Sequence, residues 1–206
     1  MPSVGTLLRV ALGGAIAATA GDLLQLSIAT EILRLPERLL GSLLLVGTVL
    51  GVLGIPQYAY GYSARAALAL SNRRRWKLVT IHGGHLFAAF GCAVHGATGL
   101  FLSLVPRRGH AVDPYQGILE SGPILLSLWG IAALAFLAAT LAEVCLCRNW
   151  RERAFNPLVL TLAIVLIAEL FPPELGHIVG PASVNIAHVF FFAFHLRQAN
   201  TKHRDN

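Results

Sequence analysis

The chain is expected to be all-α: a polytopic transmembrane helical bundle of six spans with both termini cytoplasmic, forming a single integral membrane domain over residues 1–206. Three observations lead there. Apolar residues make up 55% of the sequence and only 13% are Asp, Glu, Lys or Arg, about half the charged share of a soluble domain. The mean hydropathy is +0.66. The basic residues stand in short runs between long apolar stretches. So few charges cannot cover the surface of a water-soluble domain of this size. This excludes an ordinary cytosolic enzyme, a disordered chain and a disulfide-rich secreted module.

A crossing helix needs roughly 20 mostly apolar residues. Six stretches qualify, near 7–30, 39–61, 78–105, 123–147, 156–172 and 181–197. The first includes Ala18-Thr19-Ala20, which resembles a signal-peptidase site. Arg9 lies inside that segment rather than before it, and apolar character resumes at Leu23, so an uncleaved span is the favoured reading. The third separates bulky Leu86, Phe90, Val94 and Phe101 from small or polar Gly84, His85, Gly91, Cys92, His95, Gly96 and Gly99. That sidedness suits a central packing helix, its small face against neighbours and its bulky face to lipid. The segment around 106–122, with two prolines and three glycines, reads as a surface turn region. Phe171-Pro172-Pro173-Glu174 separates the last two spans, because no helix runs unbroken through two prolines.

Orientation follows from basic residues. With the N-terminus inside, Arg9, Arg65, Arg73, Arg74, Arg75, Lys77, Arg148, Arg151, Arg153, Arg197, Lys202 and Arg204 fall on the cytoplasmic side. Only Arg34, Arg38, Arg107 and Arg108 fall outside. This is the alternation that the positive-inside rule expects. The net charge of +6 is thus read as orientation; nucleic acid is not an expected partner. The partners expected are the lipid bilayer, a small-molecule or lipid ligand, and a second copy of the chain.

Ionisable groups inside a span are costly and usually face the bundle interior. Asp22, Gln25, His95, Glu169, Asn185 and His188 fall in the outer half of their spans, whereas Gln57, Tyr58, His82, His85, Glu143 and His195 fall in the inner half. Asp22 has no basic residue within a turn, so it must take up a proton or find a partner on another helix. Glu143 is placed to reach Arg148 by snorkelling. Asp22, His95, Glu169, Asn185 and His188 therefore form the expected substrate or proton cluster. The structural alternative for each histidine is a hydrogen-bonded core residue.

No catalytic residue is identified: G-x-S-x-G, H-E-x-x-H and P-loop motifs are missing from the sequence. No cofactor is expected. The alternatives are haem b, with His95 and His188 or His85 and His195 as axial pairs, and a divalent metal held by His82, His85, Glu143 and His195. Cys145-x-Cys147 is unsuited to metal on a helix, because residues two apart point in nearly opposite directions.

Gly21-Asp22-Leu23-Leu24, Pro56 with Tyr58 and Tyr62, His95, Asn156-Pro157, and Pro181 with Asn185 together resemble a group of bacterial six-span membrane proteins defined only as a domain of unknown function. The resemblance implies a six-helix bundle in a bacterial inner membrane and brings no activity, ligand or site residue. The function expected is binding or translocation of a small solute or lipid at the intramembrane cluster.

Overall fold

In the computed structural model, residues 2–30, 36–69, 73–104 and 122–202 are described. They form eight α-helices and one short 3-10 turn, with no strand among the described residues. Helix α1 covers Val4–Ala29 and starts where the Ser3 side chain accepts the Thr6 backbone N–H, satisfying one orphan donor of the first turn. It runs unbroken through Ala18-Thr19-Ala20. Helix α2, Glu37–Gly54, passes through a 3-10 turn at Ile55–Gln57 into α3, Tyr58–Leu68. Pro56 marks the change of pitch, since its ring nitrogen cannot donate to the preceding turn. Helix α4 covers Arg74–Leu104 and α5 covers Pro123–Leu146.

The basic end follows. Helix α6, Trp150–Ala154, is a single turn capped by Asn149, whose Oδ1 accepts the Glu152 N–H at 3.0 Å. Helix α7, Pro157–Ala168, is capped by Asn156 and opens on a proline already held at a helical φ. Helix α8, Pro173–Lys202, completes the chain. The double proline ends the preceding segment as the sequence suggested, but the last helix begins eight residues before the expected opening at Pro181 and carries that proline internally. Pro173 at the helix start has no donor to lose there. Pro181 removes one backbone hydrogen bond and lies beside a cavity rather than in a tight contact.

Among the described residues, five helical stretches are long and apolar enough to cross a membrane: Val4–Ala29, Leu39–Leu68, Arg74–Leu102, Pro123–Leu146 and Leu175–Thr201. The segment expected to be a fifth span is shorter, with 12 residues in regular helix, about 18 Å at 1.5 Å per residue. The segment around 106–122, except Gly122, and the residues Arg34, Arg107, Arg108 and Arg204 lie outside the described residues.

Helices α1 and α4 organise the bundle. The first packs on α2, α3 and α8, the second on α2, α3 and α5, and α7 lies along α8. Outward faces carry Ile16, Leu45, Leu53, Ile124, Leu134, Leu166 and Phe190, the pattern of helices whose outer solvent is lipid. The core joins Leu8, Tyr58, Tyr62, Phe87, Phe136, Phe191 and Phe192. Within it His188 stacks on Tyr58 at 4.5 Å between ring centroids.

The α1–α2 contact is set by glycines. A Cβ on Gly54 would collide with the Gly14 carbonyl oxygen, and one on Gly21 would stand 2.6 Å from the Gly47 carbonyl oxygen. In lipid, where hydrophobic transfer gives little net drive between helices, such close approach supplies the packing energy. Gly54→Val should therefore lower the melting temperature in detergent, by an overpacking cost of about 1–3 kcal/mol. Gly13→Val, at a position with open space around it, should leave it nearly unchanged. Equal melting temperatures for the two variants would refute this account of the contact.

Candidate functional site

Asp22 is where five helices converge: two meet α1 through its own oxygens and two more through their partners. Helix α1 presents it beside Gly21, in the tightly packed turn against α2. Its Oδ1 lies 3.1 Å from His95 Nδ1 on α4. Its Oδ2 accepts the Asn185 side-chain amide on α8 at 2.6 Å. Asn185 Oδ1 in turn accepts the Tyr58 hydroxyl at 2.7 Å. The other imidazole nitrogen, His95 Nε2, lies 3.2 Å from the Gly47 carbonyl oxygen on α2. Both nitrogens of His95 thus face oxygen acceptors, an arrangement that suits a ring carrying two N–H donors beside a carboxylate.

Glycine makes that placement available. A Cβ on Gly51 would fall on the tip of the His95 ring, and a Cβ on Gly99 would fall on Thr48 Oγ1. Gln25, one turn from Asp22, donates to Thr48 Oγ1 at 2.7 Å. Thr48 passes its own hydrogen to the Leu44 carbonyl at 2.8 Å. Asp22, Gln25, Thr48, Tyr58, His95 and Asn185 are therefore each partnered, as a low-dielectric interior demands, whereas the buried Thr98 hydroxyl beside them has no partner among the described residues.

A cavity of about 250 Å³ opens beside the layer. Asp22, Gln25, His95 and Asn185 stand in its wall with Thr98; Phe87, Phe136, Trp129 and Ala132 are among the apolar residues of the rest. Helices α5 and α8, which supply Trp129–Phe136 and Pro181–Asn185 to the wall, have little backbone contact with each other and meet through Phe136 and His188, 5.9 Å between ring centroids. Trp129 is 43% exposed, so the gap between these helices leads toward the surface that lipid would cover.

Of the expected cluster, Asp22, His95 and Asn185 meet directly. His188 belongs to the adjoining aromatic core: Nδ1 lies 2.7 Å from the Val184 carbonyl and Nε2 is 2.9 Å from the Tyr62 hydroxyl. It joins the layer only through the face of Tyr58. Glu169 does not join it; it is exposed at the C-terminus of α7 and does not line the cavity. Matched depth gave no information about which way its side chain turns. Tyr58, assigned to the inner half from sequence, bonds to Asn185 of the outer half, so the two meet at intermediate depth.

The remaining histidines and Glu143 scatter. His82 and His85 are exposed, the latter 3.0 Å from Ser63 Oγ, so His85 does not turn inward as the small-residue face suggested. His195 is fully buried and approaches Gln198 Oε1 through Nδ1 at 3.2 Å. Glu143 pairs with Arg65 at 2.9 Å, not with Arg148. Arg65 also reaches Glu152 at 3.1 Å, and Glu152 takes Arg148 at 3.1 Å. Asn156 donates to Glu143 Oε2 at 2.6 Å and to the Thr140 carbonyl at 2.9 Å. Arg65 and Glu152 were missed from sequence because each looked like an interfacial charge; the Asn149-to-Glu152 capping spacing is the one signal that tied Glu152 inward.

The histidines named for haem or metal are dispersed: His82 and His85 are exposed, and His195 is buried with no hydrogen-bond partner at Nε2 among the described residues. His95 and His188 have both ring nitrogens engaged, and no group of three or more His, Cys, Asp or Glu side chains suited to a metal occurs among the described residues. The His95–Asp22 pair can instead donate to, accept from and orient a polar group entering the cavity. No protein-family model matches the chain, and no curated protein or solved structure is detectably similar to it.

The pair can be weighed with a double-mutant cycle. Asp22→Ala and His95→Ala should each destabilise by about 1–3 kcal/mol, the cost of stranding a buried partner. Together they should fall short of additivity by about 1 kcal/mol or more. Full additivity in detergent unfolding would show that the pair is not coupled.

Proposed function

We propose that the protein is a six-span bacterial inner-membrane protein that binds a small lipophile carrying a hydrogen-bonding group. The ligand enters sideways from the bilayer, between α5 and α8, and passage across the membrane would begin from this bound state. The observation that carries this reading is the single cavity wall in which Asp22, His95 and Asn185 stand among Phe87, Phe136 and Trp129. Its size narrows the ligand. An engineered apolar cavity of about 150 Å³ takes up benzene, and pockets for drug-sized ligands span roughly 300–1,000 Å³. A space of about 250 Å³ suits one ring or a short chain, not a whole phospholipid. Apolar walls favour a molecule already dissolved in the acyl region. The carboxylate–imidazole pair favours one bearing a hydroxyl, carbonyl or amine.

The six-span topology has its own support. Phe155 stacks on Phe194 at 4.3 Å, while a Cβ on Gly176 would touch the Ala168 carbonyl. The short α7 segment with its flanking turns therefore runs beside α8 between Phe194 and Gly176, about 27 Å of α8 at 1.5 Å per residue, although its own regular apolar helix covers about 18 Å. Gly5 and Asn200 are neighbours, so the start of α1 and the end of α8 lie together, which favours one side for both. The basic runs favour the cytoplasm for that side. Reporter fusions after Lys77, Arg153 and Lys202 should report cytoplasm and one after Gly122 the exterior. A cytoplasmic report at Gly122 would reverse the orientation.

Binding is tested with a diazirine-bearing medium-chain fatty alcohol added to vesicles containing the protein. Photolabelling should concentrate on 129–136 and 181–185. Ala132→Phe, which fills the space, should cut it about fivefold or more. Leu134→Phe, on the exposed face of the same helix, should not. Labelling spread evenly over the outward faces, or indifferent to Ala132→Phe, would defeat the reading.

A further inference from the structure

The basic end of the bundle holds a second recess, of about 690 Å³, between the start of α4 and the α5–α6 junction. Arg73, Arg148 and Arg153 wall it together with the Val144–Cys147 segment, and no carboxylate among the described residues stands in its wall. Arg73 fixes its floor by donating from Nη1 to the Cys145 carbonyl at 2.7 Å. Arg148 is oriented by Glu152, which accepts from its Nε at 3.1 Å, and its side chain is still 45% exposed. The nearby buried carboxylates are already matched: Glu143 by Arg65, and Glu152 by Arg65 and Arg148. Arg153 extends from the one-turn helix α6 as a further exposed guanidinium.

The surroundings indicate depth. Trp76 follows Arg73 by three residues and is 42% exposed, and Trp150 begins α6 and is 73% exposed. The Arg73–Cys145 bond joins the start of α4, which carries Trp76, to the end of α5, five residues before Trp150, so both indoles belong to the basic end of the bundle. Exposed tryptophans of this kind settle at the headgroup region of a bilayer. Arg74, Arg75, Lys77 and Arg151 add to the positive field at that level. Clusters of four to eight Lys or Arg beside a span attract anionic lipid, and guanidinium forks match phosphate oxygens.

We propose that this recess binds a phosphate group, that of an anionic phospholipid headgroup, between Arg73, Arg148 and Arg153. Its ligand is distinct from that of the apolar cavity, and it does not depend on that cavity being used. The full chain in detergent, titrated with phosphatidylglycerol or phosphatidylcholine of the same acyl chains and read by native mass spectrometry, tests it. The first phosphatidylglycerol should bind at least about fivefold tighter than phosphatidylcholine, the scale of one arginine at a lipid surface. Arg153→Gln should remove about that factor, and Arg73→Gln with Arg153→Gln should remove more. Arg197→Gln, an exposed charge on α8, should not. Arg73 holds a helix contact, so Arg153→Gln alone decides the matter if the double variant misfolds. Displacement by millimolar inorganic phosphate would show that phosphate alone is recognised; resistance to it would show that the acyl chains contribute. Either result keeps the site. Equal affinity for the two lipids, or an Arg153→Gln variant indistinguishable from the parent, would overturn it.

Discussion

A carboxylate in the middle of a membrane bundle must be answered by its neighbours, because no solvent is there to answer it. Asp22 imposes this condition, and much of the arrangement around it follows. His95 and Asn185 bring α4 and α8 to α1 through its two oxygens. Tyr58 brings the start of α3, and the far side of His95 brings α2. A buried polar layer of this kind contributes modestly to net stability when complete, but each missing member leaves another group uncompensated. It therefore selects one arrangement of helices among the many that would pack apolar surface equally well. The glycines at 47, 51 and 99 are its counterpart, since side chains there would occupy the space taken by the ring of His95 or by Gln25 and Thr48.

The opposite end obeys the same rule with full charges. Arg65 draws α5 and α6 together through Glu143 and Glu152, and Asn156 carries the network into the start of α7. Between the two polar layers lies an aromatic core in which both ring nitrogens of His188 are engaged. The resulting molecule is tied at two depths and filled between them. The α5–α8 side is the exception. Neither layer bridges those helices directly, and the cavity lies where the bridge is missing. Rigidity on the other flanks lets that side remain open without loss of the bundle.

Hydropathy made most of this architecture legible, because a lipid environment leaves a strong compositional mark on every crossing segment. The long helices fall where the apolar stretches do, and the double proline separates α7 from α8. Lengths were less legible. Pro181 looked like a boundary because proline usually ends soluble helices, yet Pro173 supplies the start and the cavity tolerates the internal ring. At the site, depth could be estimated from position along a span, which grouped Asp22, His95 and Asn185. Direction around the helix axis could not be estimated as well. Glu169 sits at the exposed end of a short helix, and His85 turns outward beside Ser63. The Arg65 hub escaped for another reason: its partner Glu152 belongs to a one-turn helix that no periodicity announces. The convergence of residues far apart in sequence, such as Tyr58 with Asn185, has no local signature at all.

The brevity of α7 has a mechanical consequence for the surrounding bilayer. Its regular apolar stretch is 12 residues long, framed by Asn156 below and exposed Glu169 above, and its outward face is made by Leu162, Leu166 and Ile167. If α7 crosses the bilayer as proposed, acyl chains against this flank would meet a hydrophobic girdle well short of their relaxed thickness, and the leaflets would pinch there while remaining near full height around α1, α4 and α5. Such lopsided seating makes one edge of the molecule elastically expensive to wet with ordinary lipid. Company that shares the indentation, whether shorter-chained lipids or the matching edge of a neighbour, would relieve the deformation.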